Sequence, residues 1–199
     1  MGIFFIILGV FLRLVTHFDH LPIVETIARF VPHLPNFAPI AAMALFGGVY
    51  LAKKQALIIP LVALFLSDLL IGFYNPYLMV AVYGSFLLIG LLGLWLRRHK
   101  TVANIAGASL LGSIGFFLIT NFAMWAVQPL MPHSIYPQSL QGLLQCYTMG
   151  LPFFRNTLLG DMFYTGSFFG LMELTRLAVN KYNLNKERHV TTRMERERI

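Results

Sequence analysis

Apolar residues run through this chain in long blocks, with polar residues gathered between the blocks and at their ends. Six blocks can be drawn, at about residues 2–16, 38–52, 55–73, 78–96, 102–128 and 151–179. A helix needs roughly 20 apolar residues to cross a bilayer, and fewer where its end lies in protein rather than lipid. The third to sixth blocks meet that length. The first is short and interrupted by Arg13, and the second is shorter than a full span. The pattern predicts an all-α integral membrane protein, a bundle of six transmembrane helices over residues 1–180. The charged tail that follows, 181–199, is expected to be a solvated helix or disordered.

Composition supports the membrane reading. The chain is 57% hydrophobic and only 12% charged, about half the charged share that covers the surface of a soluble domain. Its formal net charge of +7 raises the possibility of a nucleic-acid partner. The placement of the basic residues argues against one, because they sit in short clusters between apolar blocks and in the tail. Lys53 and Lys54 lie between the second and third blocks, and Arg97, Arg98, His99 and Lys100 between the fourth and fifth. With six spans these clusters and the tail all fall on one side, while residues 74–77 and 129–150 carry no Lys or Arg. The positive-inside rule then puts both termini in the cytoplasm, as in a multi-pass protein of a bacterial cytoplasmic membrane. GIFFIILGVFLRLV has no basic n-region before it and no small-x-small site after it. It is therefore expected to be the first span rather than a cleaved leader.

On this topology the unusual polar residues collect toward the outer side. Arg13 ends the first block and Asn36 precedes the second. Ser67, Asp68, Tyr74 and Asn75 end the third, and Asn121 and Trp125 end the fifth. Arg155, Asn156, Asp161 and Tyr164 fall in the outer half of the sixth, with Cys146 and Tyr147 in the loop above it. A charge at the centre of a span costs about 2.5–3.5 kcal/mol on insertion scales, so such groups pair or face water. Arg13, Asp68, Arg155 and Asp161 balance in sign. One reading makes them packing pairs, Arg13 with Asp68 and Asp161 with Arg155 or Asn156. The favoured one makes the cluster a polar cavity open to the outside. Its polar contacts would be Asn36, Asp68, Asn75, Asn121, Arg155, Asn156 and Asp161, packed by Trp125, Tyr147 and Tyr164. Arg13 would pair with Asp68 to hold the shape. Arg155 would take an anionic group on the ligand, because guanidinium grips carboxylate or phosphate with two parallel bonds.

Other chemistry is thinly signalled. His17, His20 and Cys146 are ligand types for a metal, but no HxxxH or CxxC spacing joins them, so they are expected to be plain loop residues. A single cysteine excludes an internal disulfide. No GxSxG, P-loop or HExxH occurs, so neither an enzyme nor a resident cofactor is expected. Small residues recur at helical spacing, as Ala38 and Ala42, and in GASLLGSIG from Gly107 to Gly115. These permit close helix packing, or a docking face for a partner membrane protein. Pro39 and Pro152 suit the first turn of a helix, whereas Pro60 is interior.

Four stretches carry a resemblance: LPNFAPIAAMALFGG, SDLLIGFYN, NFAMW and GLPFFRNTLLGDMFY. They resemble a family of uncharacterised bacterial membrane proteins described as transporters, over most of residues 13–165. That family is similar to the substrate-binding S components of energy-coupling factor (ECF) transporters. The resemblance implies six helices, an outward pocket for a vitamin or metal ion, and docking on a membrane subunit driven by two ATPases. Solitary S components for cobalamin hold cobalt through a cysteine, and Cys146 is the residue of that type here. S components usually dock through small residues on the first helix, and this chain departs from that, carrying its AxxxA on the second. The expected function is binding and uptake of a small water-soluble nutrient, a vitamin or cofactor precursor and in one version cobalamin-like, in contact with membrane lipid. The alternatives are a scaffold or assembly protein without a small ligand, and a membrane enzyme with Asp161 as base.

Overall fold

A computed structural model describes residues 2–17, 38–131 and 133–196, with the side chains of 15–17 and 188–196 also outside the description. Asn36 and His20, both expected near the outer mouth, fall outside these residues, and His17 is described only as the last residue of its helix. The regular elements among the described residues are all helical, with no strand. In chain order the helices are α1 (Gly2–His17), α2 (Ile40–Tyr50), α3 (Lys53–Ile71), α4 (Pro76–Leu96), α5 (Val102–Ala126) and α6 (Leu140–Arg196), with a 3₁₀ turn at Gln128–Leu130. Three of them, α3, α4 and α5, are long and apolar enough to cross a membrane, and α1 and α2 are shorter apolar helices. The chain divides into two compact units, residues 1–165 and 166–199.

Local chemistry sets several of the boundaries. Asn75 caps α4 by accepting the Tyr77 N–H at 3.0 Å, with Pro76 in the first turn, where a missing N–H costs nothing. Thr101 caps α5 in the same way, through the Asn104 N–H at 3.1 Å. Between α3 and α4 the chain reverses through Gly72, whose φ of +114° suits a residue without a Cβ. Pro60 lies inside α3 as expected. Pro152, expected in a first turn, lies inside α6, because that helix begins at Leu140 rather than near 151. The earlier start also puts Cys146 and Tyr147 on α6 instead of in a loop. The polar residues before 151 hid the start, since they follow helix geometry without adding apolar length. The tail takes the helical alternative as far as Arg196.

Within the first unit α2 is the central helix. Each of its first ten residues is buried. At 11 residues it is about 16 Å long, about half the thickness of a bilayer's hydrocarbon core. Its C-terminal end is held by Arg97, whose guanidinium donates to Gly48 O from Nε at 3.0 Å and from Nη2 at 2.8 Å, and also to Leu51 O. A cation on the last carbonyls of a helix satisfies groups with no intrahelical partner and opposes the helix dipole. Beside this contact α2 and α4 cross at backbone distance. A Cβ placed on Gly48 would lie 2.4 Å from the Gly93 carbonyl carbon, and one on Gly93 would lie 2.6 Å from Leu45 O.

The small-residue motifs serve this interior. Ala42 of α2 has no exposed surface and packs within the bundle, whereas Ala38 precedes the helix and is half-buried. Gly112 of α5 sits against Ile89 of α4, whereas a Cβ on Gly107 or Gly115 would meet nothing within 4 Å. Contacts also fix the helix directions. Gly2 lies by Ile59, and Arg13 by Leu64 and Ser67, so α1 runs parallel to α3. Cys146 meets Asn121, Asp161 meets Ser113 and Thr165 meets Ser109, so α6 runs antiparallel to α5. Lys53 and Arg97 consequently share one end of the bundle, and the Gly72–Asn75 turn marks the other.

Candidate ligand-binding site

Two cavities lie toward the end marked by that turn. The first, about 240 Å³, is lined by Arg13 of α1, Ile40 of α2, Tyr74, Phe86 of α4, Phe116 of α5 and Asp161 of α6, among others. The second, about 290 Å³, takes in Tyr74, Phe117, Asn121, Gly150, Phe154 and Thr157. Tyr74, Val82, Phe116 and Thr157 line both, so the two adjoin.

Arg13 and Asp68 form the pair expected from their signs. Arg13 Nη1 lies 2.6 Å from Asp68 Oδ1, and Asp68 is only 1% exposed against 21% for Arg13. The pair is fully dressed. Arg13 also donates to Ser67 Oγ and to Leu64 O, and Tyr83 OH donates to Asp68 Oδ2 at 2.8 Å. Ionised groups persist in an apolar interior when their remaining lone pairs and protons are met in this way. Tyr74, in the turn above, has its pKa pushed up to about 12, first by burial and then by the Asp68 carboxylate, with Arg13 opposing. It therefore presents a neutral phenol to both cavities at any physiological pH.

Asp161 stands apart from that pair. It is 4% exposed and accepts a hydrogen bond from Ser113 Oγ at 2.7 Å. Ser113 Oγ also lies 3.0 Å from Ser109 O, and Ser109 Oγ lies 3.3 Å from Thr165 Oγ1. A polar seam of Ser109, Ser113, Asp161 and Thr165 thus runs between α5 and α6. Neither Arg155 nor Asn156 joins it. Arg155 is exposed, and neither residue lines the cavities. The alternative pairing of Asp161 with Arg155 or Asn156 is not formed, and Asp161 bonds to Ser113 instead, because residues five or six apart on a helix point about 140° and 120° apart at 100° per residue. Thr157, four residues before Asp161, shares its face and its cavity.

The other expected contacts divide. Asn121 lines the second cavity while its Nδ2 donates to Phe117 O at 2.8 Å. Asn75 is taken up in capping α4. The Trp125 indole donates to Pro137 O at 3.0 Å, and Tyr147 OH to Leu118 O at 2.9 Å. Both rings brace the C-terminal half of α5 rather than line a cavity. Tyr164 is buried away from both cavities. Cys146, 2% exposed, points its Sγ at Asn121 O at 3.4 Å. Among the described residues no group of three or more His, Cys, Asp or Glu is placed to hold a metal.

Sequence reading missed Ser113, Tyr83, Gln128 and the shared wall Val82–Phe116. Gln128, 1% exposed, accepts the Ile135 N–H at 2.7 Å and ties the loop before α6 to the end of α5. For Ser113 a signal existed: Ser109 and Ser113 on α5 and Asp161 and Thr165 on α6 are each spaced i, i+4, and so form polar stripes on single helix faces.

No curated protein and no solved structure matches the chain. A family model matches residues 2–184, and the chain belongs to that family, a family of unknown function designated DUF6580.

Proposed function

We propose that this is a multi-pass protein of the bacterial cytoplasmic membrane that binds a small water-soluble nutrient from the outer face and serves its uptake. The observation that carries the reading is the pair of adjoining cavities at the bundle end opposite the basic clusters, walled by Tyr74, Phe86, Phe116, Phe117 and Phe154, with Arg13, Asn121 and Asp161 as polar groups. Apolar walls with a few convergent polar groups are the usual composition of a small-molecule site. The alternating run of the helices supports six spans with both termini cytoplasmic. Such a bundle is S-component-like, and an ECF-type subunit with ATPases is the partner it would use. At about 240 and 290 Å³ the cavities lie at or below the lower end of the usual range. That favours a vitamin or cofactor fragment over a corrinoid, as does the bond of Cys146 to Asn121. The interior position of Ala42 weighs against the scaffold alternative, which used that residue for docking.

Thiol labelling tests the reading. Thr157→Cys places a thiol on the wall shared by both cavities, and Cys146, being buried, leaves the wild type as an unlabelled control. In intact spheroplasts a membrane-impermeant maleimide added outside is expected to label Thr157→Cys. The small-molecule fraction of yeast extract is expected to slow that labelling at least threefold. Labelling only from the cytoplasmic side, or a rate indifferent to the extract, contradicts the proposal.

A further inference from the structure

We propose that the ligand carries a protonated nitrogen, an ammonium or similar organic cation, and that Asp161 is its counter-ion. This rests on the reading of the cavities as a nutrient site and assigns the charge of the nutrient. The first cavity meets two charged side chains, Arg13 and Asp161. Arg13 is committed, since it bonds to Asp68, Ser67 Oγ and Leu64 O, and Asp68 is further bound by Tyr83. That pair cancels. Asp161 has no cationic side chain against it among the described residues; Ser113 supplies one hydroxyl. Asp161 is therefore the one acidic group on the cavity wall with no described cation against it, 4% exposed, at a site where a lone carboxylate is costly.

A cationic ligand supplies the missing charge. An anionic one would meet Asp161 directly and would have to draw Arg13 from its carboxylate. The rest of the wall agrees, because Tyr74, Phe86 and Phe116 present rings, and aromatic faces attract cations through the ring quadrupole. A metal ion is poorly served by one carboxylate and hydroxyls, since hard cations take six or more oxygens.

The test fractionates the small-molecule pool of yeast extract by ion exchange and measures the melting temperature of detergent-purified protein with each fraction. Stabilisation is expected from the cation-exchange-retained fraction and is expected to vanish when that fraction is ashed. Asp161→Asn is expected to need about 10- to 100-fold more of the fraction for the same shift, the loss that follows from replacing a charged hydrogen-bond acceptor. Stabilisation confined to the anionic or neutral fraction overturns the assignment and leaves the nutrient-binding reading standing. Activity that survives ashing is an inorganic ion and overturns it as well. Stabilisation by no fraction overturns both. Should Asp161→Asn fail to fold, the fractionation on the wild type alone decides.

Discussion

Gly48→Ala is expected to remove most of the folded protein, and Gly48→Leu essentially all of it. The Cβ alone is the problem, because it would stand 2.4 Å from the Gly93 carbonyl carbon and 2.7 Å from Leu94 N. These are backbone atoms, so no rotamer change relieves the clash. Overpacking a core costs about 1–3 kcal/mol when side chains can adjust, and here α2 and α4 would have to separate. Separation would also draw Gly48 O away from the Arg97 guanidinium that caps α2. Fluorescence-detected size-exclusion chromatography checks this, with at least a tenfold loss of the monodisperse peak expected for Gly48→Leu. Gly107→Ala is the control. Nothing lies within 4 Å of its Cβ, and a helical glycine replaced by alanine gains about 0.5–1 kcal/mol. A wild-type profile for Gly48→Ala would refute the close crossing.

The second large effect belongs to the Arg13–Asp68 pair. Arg13→Ala leaves Asp68, 1% exposed, with Tyr83 as its described side-chain donor. Removing one partner of a buried ion pair costs about 3–5 kcal/mol, whereas replacing both by apolar residues of similar volume is often neutral. Arg13→Ala and Asp68→Ala are each expected to lose that amount in unfolding by a denaturing detergent. The double variant Arg13→Met/Asp68→Leu is expected to recover most of it. Equal losses in the double and the singles would mean that the charges are not coupled. The double variant also separates shape from charge. It keeps the helices together while removing both charges of the pair.

Three helices long and apolar enough to cross a membrane were legible because hydropathy and length act along the chain. The expected 55–73, 78–96 and 102–128 became Lys53–Ile71, Pro76–Leu96 and Val102–Ala126, each within two residues. The Arg13–Asp68 pair was legible too, since two opposite charges in apolar blocks at the same depth have few other partners. What depends on rotation about a helix was read less well. Treating Arg155, Asn156 and Asp161 as one cluster ignored that 100° per residue sends them to different faces, and it is Thr157 that shares the cavity with Asp161. The centrality of α2 was not visible in the sequence, because a short apolar run reads alike whether its end meets lipid or protein. Of the two readings of Ala42, packing or docking, its complete burial agrees with packing.

Whether the cavities hold a small molecule decides the proposed function. Native mass spectrometry measures this directly, on wild-type protein purified in mild detergent and equilibrated with the small-molecule fraction of yeast extract. The expected spectrum shows one organic adduct per chain, absent when Val82, which lines both cavities, is replaced by Trp in protein of unchanged melting temperature. A bare wild-type mass, or an adduct that persists in Val82→Trp, would contradict it.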